Sequence, residues 1–110
     1  MSLNLTSLEK MAVTRVLVDI ANADGEVSKH EVAYMMQIQS VLGITNDELV
    51  RSKRMGVTES LTVLKAMLPH EKALLGYMMH QMIHADGSVD QEEKNIFVFV
   101  CLMAEIPLPS

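Results

Sequence analysis

The sequence predicts an all-α, single-domain bundle of five to seven helices, built from two pseudo-symmetric helix–loop–helix repeats. Three observations predict it. No stretch alternates apolar and polar residues with the period of two that a half-buried strand requires. Apolar residues recur at helical spacing instead: Val13, Val16, Leu17 and Ile20 stand at i, i+3, i+4 and i+7, on one face of a helix. Finally, the segment from Ala21 to Glu31 returns from Ile83 to Glu93, at an offset of 62 positions. Ala23, Asp24, Gly25, Val27 and Glu31 reappear as Ala85, Asp86, Gly87, Val89 and Glu93. The same offset carries the first apolar stripe onto Leu75, Met78, Met79 and Met82, and carries Met35, Ile38, Val41 and Leu42 onto Phe97, Val100, Met103 and Ala104. Repeat one therefore covers about 7–44 and repeat two about 69–106, with a connector over 45–68. Two copies make a symmetric pair, whereas a solenoid needs about three or more.

Local chemistry sets the boundaries. The first helix runs from about Ser7 to Ala23 and stops at Asp24-Gly25, where glycine tolerates left-handed geometry. The second begins after Ser28, whose hydroxyl forms a capping box with Glu31, and ends at Gly43. Thr45 and Glu48 repeat that signature and open a short helix through about Lys53. Gly56 interrupts the chain, and Thr58 to Met67 reads as a further helix. Pro69 suits the first position of the next, which runs to about Ala85. Asp90 caps the last helix with Glu93 at N3, and Pro107 and Pro109 end it. In that helix Ile96 to Ala104 is apolar on every face. Either it is the central helix of the bundle, which a chain of this length favours, or a second copy covers one face, giving a homodimer through helix 95–105.

Composition removes whole classes of function. With 110 residues the chain has room for one core. A net charge of −5 argues against nucleic-acid phosphates as partner. The longest apolar run, Ile96 to Ala104, falls far short of the ~20 residues that cross a bilayer, so no membrane insertion is expected. The N-terminal residues lack the pattern of a signal peptide, and one cysteine, Cys101, forms no internal disulfide. The expectation is a cytoplasmic protein.

The two ADGxVxxxE loops hold the most suggestive chemistry. Gly25 and Gly87 read as helix C-caps, Val27 and Val89 as inward anchors, and Glu31 and Glu93 as capping-box partners. Asp24 and Asp86 fit less well, because a carboxylate at a helix C-terminus faces the negative end of the dipole. An Asx-turn explains them through backbone N–H groups two residues on. A divalent cation held between each Asp and the downstream Glu explains them too, which makes Asp24, Glu31, Asp86 and Glu93 candidate ligands for calcium, magnesium or zinc. On an EF-hand register, however, the first ligand position falls on Ile20 and Met82, so a calcium sensor of that type is not expected.

His80 and His84, four apart on one helix, have the spacing of two imidazoles on one metal, with Asp86 as the third ligand of a metal-dependent hydrolase. A chance pair on an exposed face is the simpler reading. Phosphate loops, nucleophile elbows and paired CxxC motifs are absent, so no catalytic residue is assigned and an enzyme is not expected. Ten methionines fall mainly on core stripes, where Met fills gaps.

A helix ending in A-D-G, then Val, then Glu seven residues after the Asp, twice in a small acidic all-α chain, resembles the TerB-like family. That family includes the tellurite-resistance protein TerB and the N-terminal domain of a membrane-anchored J-domain co-chaperone. The resemblance spans about 7–106. It implies a pseudo-twofold helical bundle with a non-enzymatic role in bacterial stress response, exercised through protein partners. It also implies divalent-cation binding by the acidic surface, which would involve Asp24 and Glu31 in one copy and Asp86 and Glu93 in the other.

Overall fold

The computed structural model describes residues 4–85 and 87–108. Asp86, one of the candidate ligands, lies outside the described residues. Six helices follow one another: α1 (Ser7–Ala21), α2 (Lys29–Leu42), α3 (Asn46–Ser52), α4 (Val57–Lys65), α5 (Pro69–Ile83) and α6 (Gln91–Ala104). No strand occurs among the described residues.

The helix starts follow from capping chemistry. Thr6, Ser28 and Thr45 each accept from the N3 backbone N–H, and Glu9, Glu31 and Glu48 reach back to the N-cap N–H. At α5 the N-cap is Leu68, whose N–H donates to Glu71 Oε1 at 3.0 Å behind Pro69. The N3 glutamates of four helices, Glu31, Glu48, Glu71 and Glu93, are the buried carboxylates among the described residues. In Glu31, Glu48 and Glu71 the turn back onto the N-cap lets the side chain enter the interior with an oxygen already paired, whereas Glu93 closes no capping box. Glu48 also accepts from Ser7 Oγ at 2.6 Å, tying α3 to α1, and that hydrogen bond chiefly holds its carboxyl below the ordinary range.

Helix ends depart from expectation by about two residues. α1 stops at Ala21 rather than Ala23, because Asn22, with φ −94°, leaves helical geometry first. A turn then closes from Gly25 N–H to Asn22 O at 2.9 Å, and Gly25 supplies φ +85°. α5 stops equivalently at Ile83, and Gly87 has φ +84°.

α1 is the central helix and packs against all five others. Its stripe Val13, Val16, Leu17 and Ile20 is buried, as is the equivalent Leu75, Met78, Met79 and Met82 of α5. Exchanging α1 with α5 and α2 with α6 turns the observed α1–α6 packing into the observed α5–α2 packing, and α1–α2 into α5–α6. This is the pseudo-twofold that the duplicated sequence requires. Arg15 fastens the connector, donating to the carbonyls of Lys53 and Met55 at 3.0 and 2.9 Å while pairing with Asp19.

Three expectations are overturned. The apolar α6 is not the central helix: it lies at the side of α1 and buries Phe97, Val100, Cys101 and Ala104, leaving Phe99, Leu102 and Met103 in solvent. Val41, placed on a core stripe by its spacing, is 73% exposed, and its equivalent Met103 is also exposed. In both helices the buried stripe leaves this position on the outer face: α2 buries Ile38 and Leu42, and α6 buries Val100 and Ala104. Val27 and Val89 do not anchor their loops inward but stand at the surface, 39% and 45% exposed. Cys101 is a buried hydrophobe whose thiol is pushed up to about 11 by desolvation, which makes it unreactive. No helix among the described residues is long and apolar enough to cross a membrane.

Candidate functional site

The pseudo-twofold brings the two ADG loops side by side, and together they line one acidic cleft of about 290 Å³. Five carboxylates reach it: Asp24, Glu26 and Glu31 from the first loop, and Asp90 and Glu93 from the second. One oxygen each of Asp24, Asp90 and Glu93 lie within 4.8 Å of one another. No cationic side chain lines the cleft among the described residues.

Four of these carboxylates have a local task as well. Asp24 accepts from Glu26 N–H at 3.0 Å, which is the Asx-turn expected for it. Asp90 caps α6, accepting from the N–H groups of Glu92 and Glu93 at 2.9 and 3.0 Å. Glu31 accepts from Ser28 N–H at 2.9 Å within its capping box. Here the two repeats differ. The Glu93 carboxyl turns to Glu31 and donates a hydrogen bond to it across the pseudo-twofold. Desolvation first, then the bond to Glu31 and the charges of Glu31, Asp24 and Asp90, push Glu93 up to about 8. The floor of the cleft thus pairs the buried Glu93 carboxyl with the buried Glu31, with Asp24 and Asp90 at its mouth. The positive ends of α2 and α6 point into the same region and offset part of the repulsion.

Asp24, Glu31 and Glu93 therefore meet in one place, although the sequence suggested two separate sites. Asp90 was legible only as a cap, and Glu26 not at all. The signal for both was the duplication itself, since twofold packing pools the carboxylates of equivalent loops. The first EF-hand ligand position is occupied by core, with Ile20 and Met82 fully buried. His80 and His84 form no cluster with a third ligand among the described residues. Their rings lie 4.3 Å apart, His84 Nδ1 is engaged by the His80 carbonyl at 2.8 Å, and His80 meets the edge of Phe97 at 6.4 Å. These contacts pack the two rings together with His80 against α6, and Asp86, the third ligand expected with them, lies outside the described residues. The donor set of the cleft, carboxylate oxygen throughout, fits a hard divalent cation such as calcium or magnesium better than zinc, which favours nitrogen and sulfur.

A second concavity is apolar. It holds about 350 Å³ between α1, α2 and the start of α3, with Leu17, Val32, Met35, Met36, Ile44 and Leu49 on its walls. Val27 lines both this groove and the acidic cleft.

Comparison with known proteins agrees with this architecture. A family model described as tellurite resistance protein TerB matches residues 3–54. No curated protein matches the chain significantly. A protein of unknown function from Porphyromonas gingivalis W83, known from its crystal structure, shares the fold with a TM-score of 0.83. It is 18% identical, with 98% of this chain and 90% of that one covered. The family match falls on α1, the first acidic loop, α2 and α3, and the second loop with its flanking helices repeats that unit by sequence and packing: over residues 3–54 the chain is similar to the TerB family.

Proposed function

We propose that the chain is a non-enzymatic binding module of a tellurite-resistance-type bacterial stress response, and that it acts through protein partners. The observation that carries this reading is exposed apolar surface in two places: the groove beside α2, where Met36 is 65% exposed, and the outer face of α6, where Leu102 is 68% exposed. Soluble monomers seldom leave large contiguous apolar patches uncovered unless a partner uses them. The α6 face is the surface we assign to a second copy of the chain. A tagged chain at native expression level should retain a reproducible set of proteins, reduced by Met36→Glu or Leu102→Glu, and purified wild type should sediment above 12.2 kDa. Recovery of the same set by both variants contradicts the reading, and a 12.2 kDa species at high micromolar concentration removes the second copy.

A second reading is a divalent-cation site in the acidic cleft, favoured by the convergence of Asp24, Asp90 and Glu93. A cation there displaces the Glu93 proton, so affinity should rise as pH approaches about 8. In thermal melts of metal-stripped protein, calcium or magnesium at a hundredfold excess over its dissociation constant should add ~2.7 kcal/mol. Asp24→Asn/Asp90→Asn should remove that shift, since Asn retains both capping roles. No shift with any divalent ion up to millimolar concentration contradicts this second reading.

A further inference from the structure

We infer that the groove between α1, α2 and α3 receives an amphipathic helix of another protein, whose apolar face fills the groove and whose lysine or arginine reaches over the acidic cleft. The inference rests on the binding-module reading and names the partner's chemistry.

The groove selects a helix over an extended segment. Its walls are helices, whose backbone N–H and C=O groups are already paired, so no sheet edge is available to add a strand. The polar side chains along it are few: Thr14, whose hydroxyl already donates to Lys10 O at 2.8 Å, with Asn22 and Gln39 at the margins. An incoming element must therefore satisfy its own backbone, which a helix does. The α2 wall extends from Val32 to Gln39, about two turns or ~10 Å, which suits side chains at i, i+3 or i+4, and i+7.

Charge selects the end residue. Val27 is common to groove and cleft, so a helix seated in the groove ends beside Asp24, Asp90 and Glu93. A lysine or arginine there lays its methylene stem on the exposed Val27 and Val89 and brings its charge to Asp24 and Asp90. A second copy is the poorer occupant. This chain carries a net charge of −5, and its own exposed helix, α6, opens with Asp90, Glu92 and Glu93, which would add like charge.

The test is selection of a phage-displayed library of amphipathic 16-residue helices on the immobilised full chain. Enriched clones should share apolar residues at helical spacing with a Lys or Arg at one end. As synthetic peptides they should lose tenfold or more in affinity on Met36→Glu. They should lose threefold or more on Asp24→Asn/Asp90→Asn, and similarly when the basic residue becomes Gln. Circular dichroism confirms that the variants, all at exposed or half-buried positions, keep the fold. Clones without a basic end, binding insensitive to Met36→Glu, or no enrichment at all overturn the inference. If native partners are still captured in any of those cases, the binding-module reading stands without it.

Discussion

Ile20→Asp is expected to abolish the cooperative unfolding transition of this protein. On an EF-hand register this substitution would supply the missing first ligand, and the fold forbids it. Ile20 is fully buried on the central helix, one turn before the first acidic loop. A carboxylate there has no partner, and burying an unpaired charge belongs to the small group of changes that cost more than ~4–5 kcal/mol. Against a total stability of ~5–15 kcal/mol, that leaves little or no folded protein. Ile20→Val should cost only ~0.5–1.5 kcal/mol and keep a cooperative transition. Urea titration followed by circular dichroism distinguishes the outcomes. A folded Ile20→Asp variant that gained calcium binding would mean that the loop is an EF-hand variant after all.

Glu93→Gln is expected to stabilise the protein at alkaline pH. In an unfolded chain a glutamate titrates near ~4.3, whereas in the fold Glu93 keeps its proton up to about 8. The folded state therefore binds more protons between those values. The contribution of Glu93 is fully present below the unfolded value, declines as pH rises through the window, and levels off above the folded value. Glutamine carries an amide N–H that donates to Glu31 at every pH, so the decline should vanish. At about pH 8.5 the variant should exceed wild type by about 1–3 kcal/mol, each kcal/mol raising Tm by about 4–8 °C in a domain of this size. Below about pH 4.5 the two should melt together. Equal Tm values at alkaline pH would show that Glu31 and Glu93 do not share a proton.

The parts of this fold legible in the sequence are those governed by local chemistry. Capping boxes at Ser28 and Thr45, Pro69 at the start of α5 and Gly43 at the end of α2 depend on neighbours within four residues, and they stand where expected. The apolar stripes of α1 and α5 were legible because both helices are buried along a broad face. Periodicity failed for α2 and α6. A helix that packs by one edge can carry exposed apolar residues at the same spacing as buried ones, as Val41 and Met103 do. The candidate site was legible residue by residue but not as a place. Asp24, Glu31 and Glu93 were singled out within their own loops, and only the packing of one repeat on the other puts them together with Asp90. Asp90 escaped notice because a capping role already accounted for it. The groove could not be read at all, because it is made by three helices whose relative placement no local pattern encodes.

The duplicated loops converge so that Glu31 and Glu93 form one buried pair. The most direct test of that pairing is a carbon-13 titration of the glutamate side-chain carboxyls across about pH 3 to 10, in wild type, Glu93→Gln and Glu31→Gln. One glutamate should titrate near about 8 in wild type, vanish from the spectrum in Glu93→Gln, and move down in Glu31→Gln as the neighbouring charge is removed. Ordinary titration of every glutamate near ~4.3 would contradict that buried pair.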